Sequence, residues 1–130
     1  MCWIDRVVSV SAEEVVAEAI ISNTSAFLQD GRLPIWIGIE YMAQAVAAWA
    51  GHRARTEGRR VSVGYLVGTR RYDTFRAHFE VGEHLTIEAR CEILGANGLG
   101  VFACRLMVLG QIAASANLSV YEPPVTTSHG

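Results

Sequence analysis

Two polar side chains stand out in an apolar stretch. From Ile35 to Gly51 the chain reads IWIGIEYMAQAVAAWAG, and Glu40 and Gln44 are its only strongly polar residues. Four positions apart, they share one face of a helix, one above the other. A carboxylate buried without a partner costs several kcal/mol, as a rough rule, or is driven toward its neutral form. Such a residue is either tied to a backbone amide or an Arg, or it is used. A carboxyl near a helix start, in an apolar slot, suits general acid–base work. Spacing alone leaves both readings open.

Other reactive side chains are scattered. The four histidines are His52, His78, His84 and His129. His52 lies twelve residues past Glu40, roughly 18 Å along a helix at 1.5 Å per residue, too far to share a reaction centre within one subunit. A His at a helix C-terminus is also explained by the dipole. His78 and His84 sit on polar strand faces and His129 in the tail, where surface use is the ordinary reading. Cys2, Cys91 and Cys104 are odd in number and lack metal-ligand spacing, so no metal site is expected. They read as free thiols of a reducing cytosol, and no signal peptide opens the chain.

The elements that would hold Glu40 follow from patterning. The spacing predicts a long helix from Ile35, opened by Pro34 and ended at Gly51 or Gly58, with His52, Arg53 and Arg55 near its C-terminus. Glu40 and Gln44 and the short run argue against a membrane span. Apolar on all sides, it reads as a central core helix. Strands are predicted over Glu14–Ile21, over Arg70–Val81 with Phe75, Ala77, Phe79 and Val81 on one face, and over Leu85–Ile93, where apolar and polar residues alternate. Gly95-Ala96-Asn97-Gly98 reads as a hairpin turn, followed by strands at Leu99–Leu109 and Gln111–Tyr121. One helix among antiparallel strands is an α+β domain in which a sheet wraps a long central helix. A single domain is expected over residues 1–124, with a flexible tail at 125–130.

Composition agrees. The 130 residues are 51% hydrophobic and 18% charged, which excludes a disordered chain. A domain this size buries only about two-thirds of its unfolded surface, so an apolar surplus is expected at an oligomer interface. Eleven Arg and no Lys stand against thirteen acids for a net charge of −2, so a nucleic-acid partner is not expected. Seven Arg and two acids lie between Arg53 and Arg76, a local +5, against −7 elsewhere. That segment is either a solvated face or a dock for an acidic partner.

GRLPIWIGIEYMAQAVAAWAG, from Gly31 to Gly51, resembles the helix-start motif of hotdog-fold 3-hydroxyacyl-[acyl carrier protein] dehydratases, with Pro34, Glu40, Ala43 and Gln44 in the motif's places. MCWIDRVV is similar to the family's opening strand, and GYLVGTRRYDTFRAHFEVGEHLTIEA, from Gly64 to Ala89, to its aromatic-basic strand and V-x-G-[DE]-x-L turn. The likeness covers nearly the whole chain and is strongest to a divergent subgroup of aryl-polyene and similar fatty-acid-like pigment clusters. It implies the hotdog fold, a cytoplasmic homodimer or heterodimer, and dehydration of carrier-bound 3-hydroxyacyl thioesters to 2-enoyl thioesters. It implies no cofactor beyond the phosphopantetheine of the carrier protein, or coenzyme A, that bears the substrate. Glu40 would be the catalytic acid, Gln44 would orient it, and Arg70, Arg71 and Arg76 would dock the acyl carrier protein or its phosphopantetheine.

Departures from the family are specific. Its catalytic His stands fourteen residues before the acid, and that count from Glu40 reaches Ala26. Asn23 lies near the vacant place and can hydrogen-bond but is no base. Ile35 replaces the family's helix-opening Gly. Three functions remain open from sequence: a dehydratase resting on Glu40 or on a base from a partner subunit, a hotdog thioesterase using a helix carboxylate, and an inactive subunit of a hotdog heterodimer.

Overall fold

The computed structural model describes residues 4–22, 32–58 and 65–121, the side chains of 65–67 excepted. The strands are β1 (Arg6–Val10), β2 (Glu14–Ile20), β3 (Arg32–Pro34), β4 (Tyr65–Thr74), β5 (His78–Glu80), β6 (His84–Leu94), β7 (Leu99–Val108) and β8 (Gln111–Tyr121). The helix α1 covers Gly38–Thr56 and is preceded by a tight 3-10 turn at Ile35–Ile37. Six strands form one antiparallel sheet in the order β1-β2-β6-β7-β8-β4, and β3 and β5 pair as a separate ribbon.

Alternation decides which side of the sheet receives the helix. On β6, Leu85, Ile87 and Ala89 face inward, across from Ala19, Ala17 and Val15 of β2. Small residues on β2 leave room for α1, which presses Tyr41, Met42, Ala45, Val46 and Trp49 into the sheet at helical spacing. Trp49 anchors the far half. Its ring meets Phe102 edge-on at 5.3 Å between centroids, and its indole N–H donates to the Ser11 carbonyl at 3.1 Å. The outer face carries exposed ion pairs such as Arg6–Glu18 (2.6 Å), each worth up to about 1 kcal/mol.

Two expectations need correction. Among the described residues the helix is covered on one side only, so Glu40 and Ala47 of α1, and Trp36 of the turn before it, are exposed. No polar or charged side chain is fully buried among the described residues. The strand expected from Arg70 to Val81 is two strands. After the Phe75 N–H donates to the Ala113 carbonyl (2.9 Å), the chain leaves the large sheet, bends through Arg76 and pairs with β3. Phe79 is therefore wholly buried, while Phe75 is 63% exposed and Ala77 and Val81 are exposed too. The helix runs past Gly51 and stops at Gly58, whose φ of +68° suits a helix end. No described helix is long and apolar enough to cross a membrane.

The fold supports two expected results. Leu109 and Gly110 form the two-residue turn between β7 and β8 with φ of 52° and 77°, so Leu109 is held left-handed while 93% exposed. Asn tolerates this conformation far better, and Leu109→Asn should add about 1 kcal/mol in a urea melt. Cys91 and Cys104 are free thiols. Burial pushes the Cys104 thiol from 9.0 up to about 12. The unfolded chain then loses this proton near pH 9 while the folded chain keeps it. Its contribution is whole below pH 9 and falls away as pH rises toward 12. Denaturant midpoints should decline over that window, and Cys104→Ala should flatten the decline from its lower end.

Candidate active site

The region around Glu40 is built at the start of α1. Pro34 closes β3 opposite His78 of β5, and its φ of −58° leads directly into the 3-10 turn. Glu40 lies in the first turn of α1. Its carboxylate is exposed, with no hydrogen-bond or ion-pair partner among the described residues. Trp36, four residues earlier, is 52% exposed on the same helical face. The arrangement offers a carboxylate beside the amide end of a helix, on a surface its own sheet leaves open. Proton transfer and stabilisation of developing negative charge are the chemistry such a place supports.

The other expected residues are spread out. The Gln44 carboxamide oxygen accepts from the Ile4 backbone N–H at 3.3 Å, tying the helix to the segment before β1 rather than to Glu40. Asn23 lies outside the described residues, as do His129 and Cys2. Arg70 and Arg71 are exposed on β4, with Arg71 bonded to Asp73 at 3.2 Å. Arg76 is held elsewhere. Its guanidinium bonds Glu83 at 2.8 Å and stacks 5.6 Å above the Phe79 ring, and its Nη1 is buried with no hydrogen-bond partner among the described residues. Arg53 and Arg55 belong to the last helical turn, Arg53 bonded to Glu57 at 3.0 Å, and Arg59 and Arg60 lie outside the described residues, so the described members of the Arg-rich segment are not one patch.

His52, Arg53, Thr56 and Glu57 line an open cavity of about 400 Å³ with Ser11 and Ala12, at the opposite end of α1 from Glu40. His78 lies 3.4 Å from the Glu80 carboxylate, and His84 is exposed at the start of β6.

Sequence reasoning passed over Tyr72 and Gly38. The Tyr72 hydroxyl donates to the Ile35 carbonyl in the turn that opens the helix, and burial pushes its pKa up to about 12, so it stays a donor. Gly38 stands where the two elements touch. A glycine inside a helical run costs about 1 kcal/mol relative to Ala, which is the signal that could have singled it out.

The sequence profile of the ApeP-like family, described as ApeP dehydratase, matches residues 1–129. A search of curated protein sequences found no match. Among solved structures, one chain of the dehydratase heterocomplex ApeI:P from Xenorhabdus doucetiae is 29% identical with a TM-score of 0.88, over 96% of this chain and 85% of that one. AziG from S. sahachiroi is 18% identical with a TM-score of 0.70, over 91% and 90%. A hypothetical thioesterase with coenzyme A from Streptococcus pneumoniae TIGR4 is 13% identical with a TM-score of 0.71, over 90% and 86%. The last two show the fold alone. The architecture they share with this chain is the hotdog fold expected from the sequence.

Proposed function

The chain belongs to the ApeP-like dehydratase family, and from that premise we propose that it removes water from 3-hydroxyacyl thioesters on an acyl carrier protein, in a pathway building a fatty-acid-like or polyene chain. The observation that carries this is the exposed Glu40 carboxyl in the first turn of α1. The reaction takes a proton from Cα and expels the 3-hydroxyl, protonated, as water. Glu40 is the acid that protonates the departing hydroxyl. Backbone amides at the helix start face the thioester oxygen as enolate charge grows.

The base comes from a second hotdog subunit. Two surfaces suit such a partner: β4, a ten-residue strand that among the described residues pairs only with β8, and the exposed face formed by Trp36 of the 3-10 turn with Glu40 and Ala47 of α1. The Xenorhabdus doucetiae relative, found in a heterocomplex, supports this arrangement. Coexpression with a hotdog subunit that carries a His before its helix tests it. Enoyl product is expected from the complex and not from either chain alone. Full activity of this chain alone would remove the partner's base from the mechanism. Free thiol from saturated acyl thioesters would instead indicate a thioesterase, and no product from either substrate would indicate an inactive subunit.

The carrier protein docks on Arg70 and Arg71, both exposed on β4; Arg76 is already committed to Glu83. Charge reversal at Arg70 and Arg71 should raise KM for carrier-bound substrate by about tenfold, through lost steering and contact. KM for the same acyl group on a small thiol should stay unchanged.

A further inference from the structure

Tyr72 and Gly38 have no part in the proton transfers assigned to Glu40, yet a chain of local features brings them together. On β4, Arg70 pairs with Asn117 and the next paired residue is Tyr72, opposite Ala116. Arg71 is the extra residue of a β-bulge and has a φ of 69°, a left-handed conformation that a residue with a Cβ adopts at a cost. In an unbroken strand the side chain after Arg70 would point inward and Tyr72 would point away. The bulge therefore turns the Tyr72 phenol toward the helix.

There its hydroxyl donates to the Ile35 carbonyl, which also accepts the Gly38 N–H. Both acceptor sites of that carbonyl are engaged. Gly38 has an ordinary helical φ of −57°, so its backbone does not demand glycine. Space does. A Cβ at Gly38 would stand 2.5 Å from the Tyr72 hydroxyl oxygen, with Leu106 Cδ1 at 3.5 Å and Phe79 Cε2 at 3.6 Å. The missing side chain is what lets the phenol reach the turn.

We propose that Tyr72 is a positioning residue, clamping the first turn of α1 through the gap left by Gly38 and so fixing where Glu40 and the neighbouring amides meet the thioester. This rests on the dehydratase reading above. The clamp belongs to β4, the strand offered to the partner, so partner docking and the placement of Glu40 share one element.

The test uses the complex with its partner subunit, a 3-hydroxyacyl thioester, and the variants Tyr72→Phe, Gly38→Ala and the double variant. Tyr72→Phe should lower kcat by about tenfold with KM within about twofold, since small misplacements of reacting groups cost rate more than binding. Amide exchange over Ile37–Tyr41 should rise with it. Gly38→Ala should be worse, because its methyl collides with the hydroxyl. Tyr72→Phe should then partly rescue Gly38→Ala, a coupling that independent sites do not show. A purely structural hydrogen bond would lower Tm and leave kcat alone. Unchanged kcat in Tyr72→Phe beside an active wild type, or simple addition of the two losses, would overturn the positioning role. An inactive wild type would instead overturn the dehydratase reading, and this role with it.

Discussion

Glu40→Gln should cut enoyl formation at least ~100-fold while leaving the fold intact. General acid–base groups contribute about 10²–10⁴ to rate, and Gln keeps the shape of Glu without a transferable proton. The carboxylate is exposed and has no partner among the described residues, so its replacement removes no contact. Stability should change by less than about 0.5 kcal/mol. Progress curves of enoyl thioester alongside a thermal melt check both halves. A variant that keeps its rate would remove Glu40 from the chemistry, and one that unfolds would show the residue to be structural.

Phe79→Ala should be the most damaging substitution in the core near the site. Phe79 is wholly buried, lies across the β3–β5 ribbon from Leu33, and supports the helix start from below Gly38. Arg76 stacks on its outer face. Truncation opens a cavity and withdraws the surface against which the guanidinium is packed. Loss of a buried Phe costs about 3–5 kcal/mol, which for a domain of this size is a fall in Tm of about 10–20 °C. A loss below about 1 kcal/mol in a denaturant melt would show that the ribbon is not part of the cooperative core.

Elements governed by local rules were legible in the sequence. The alternation of Leu85–Ile93, the Gly95–Gly98 turn and the apolar run after Pro34 each state their structure within a few residues. What was not legible depends on pairs distant in the chain. Phe75 reads as a core residue on periodicity, but the core position goes to Phe79 because β5 leaves the sheet for β3. Glu40 reads as buried because its neighbours are apolar. It is exposed because one sheet can cover only one side of a helix, and the apolar surplus beside it is left for another surface. Gln44 shares a face with Glu40, yet its amide is used by Ile4, forty residues earlier. Tyr72 lies within the aromatic-basic stretch but nothing in that pattern gives its direction: a one-residue bulge at Arg71 decides which way it points. The Arg-rich segment is continuous along the chain, but its described members divide between the end of α1, β4 and the bend before β5.

The claim that this chain takes part in dehydration of a carrier-bound 3-hydroxyacyl thioester is tested most directly by the intact mass of the acyl carrier protein. A 3-hydroxyacyl carrier is incubated with the complex of this chain and a His-bearing hotdog subunit, beside the same complex carrying Glu40→Gln. The expected result is a carrier lighter by one water with wild type and unchanged with the variant. A carrier that has lost its whole acyl group, or one that loses water equally with both complexes, would contradict the account.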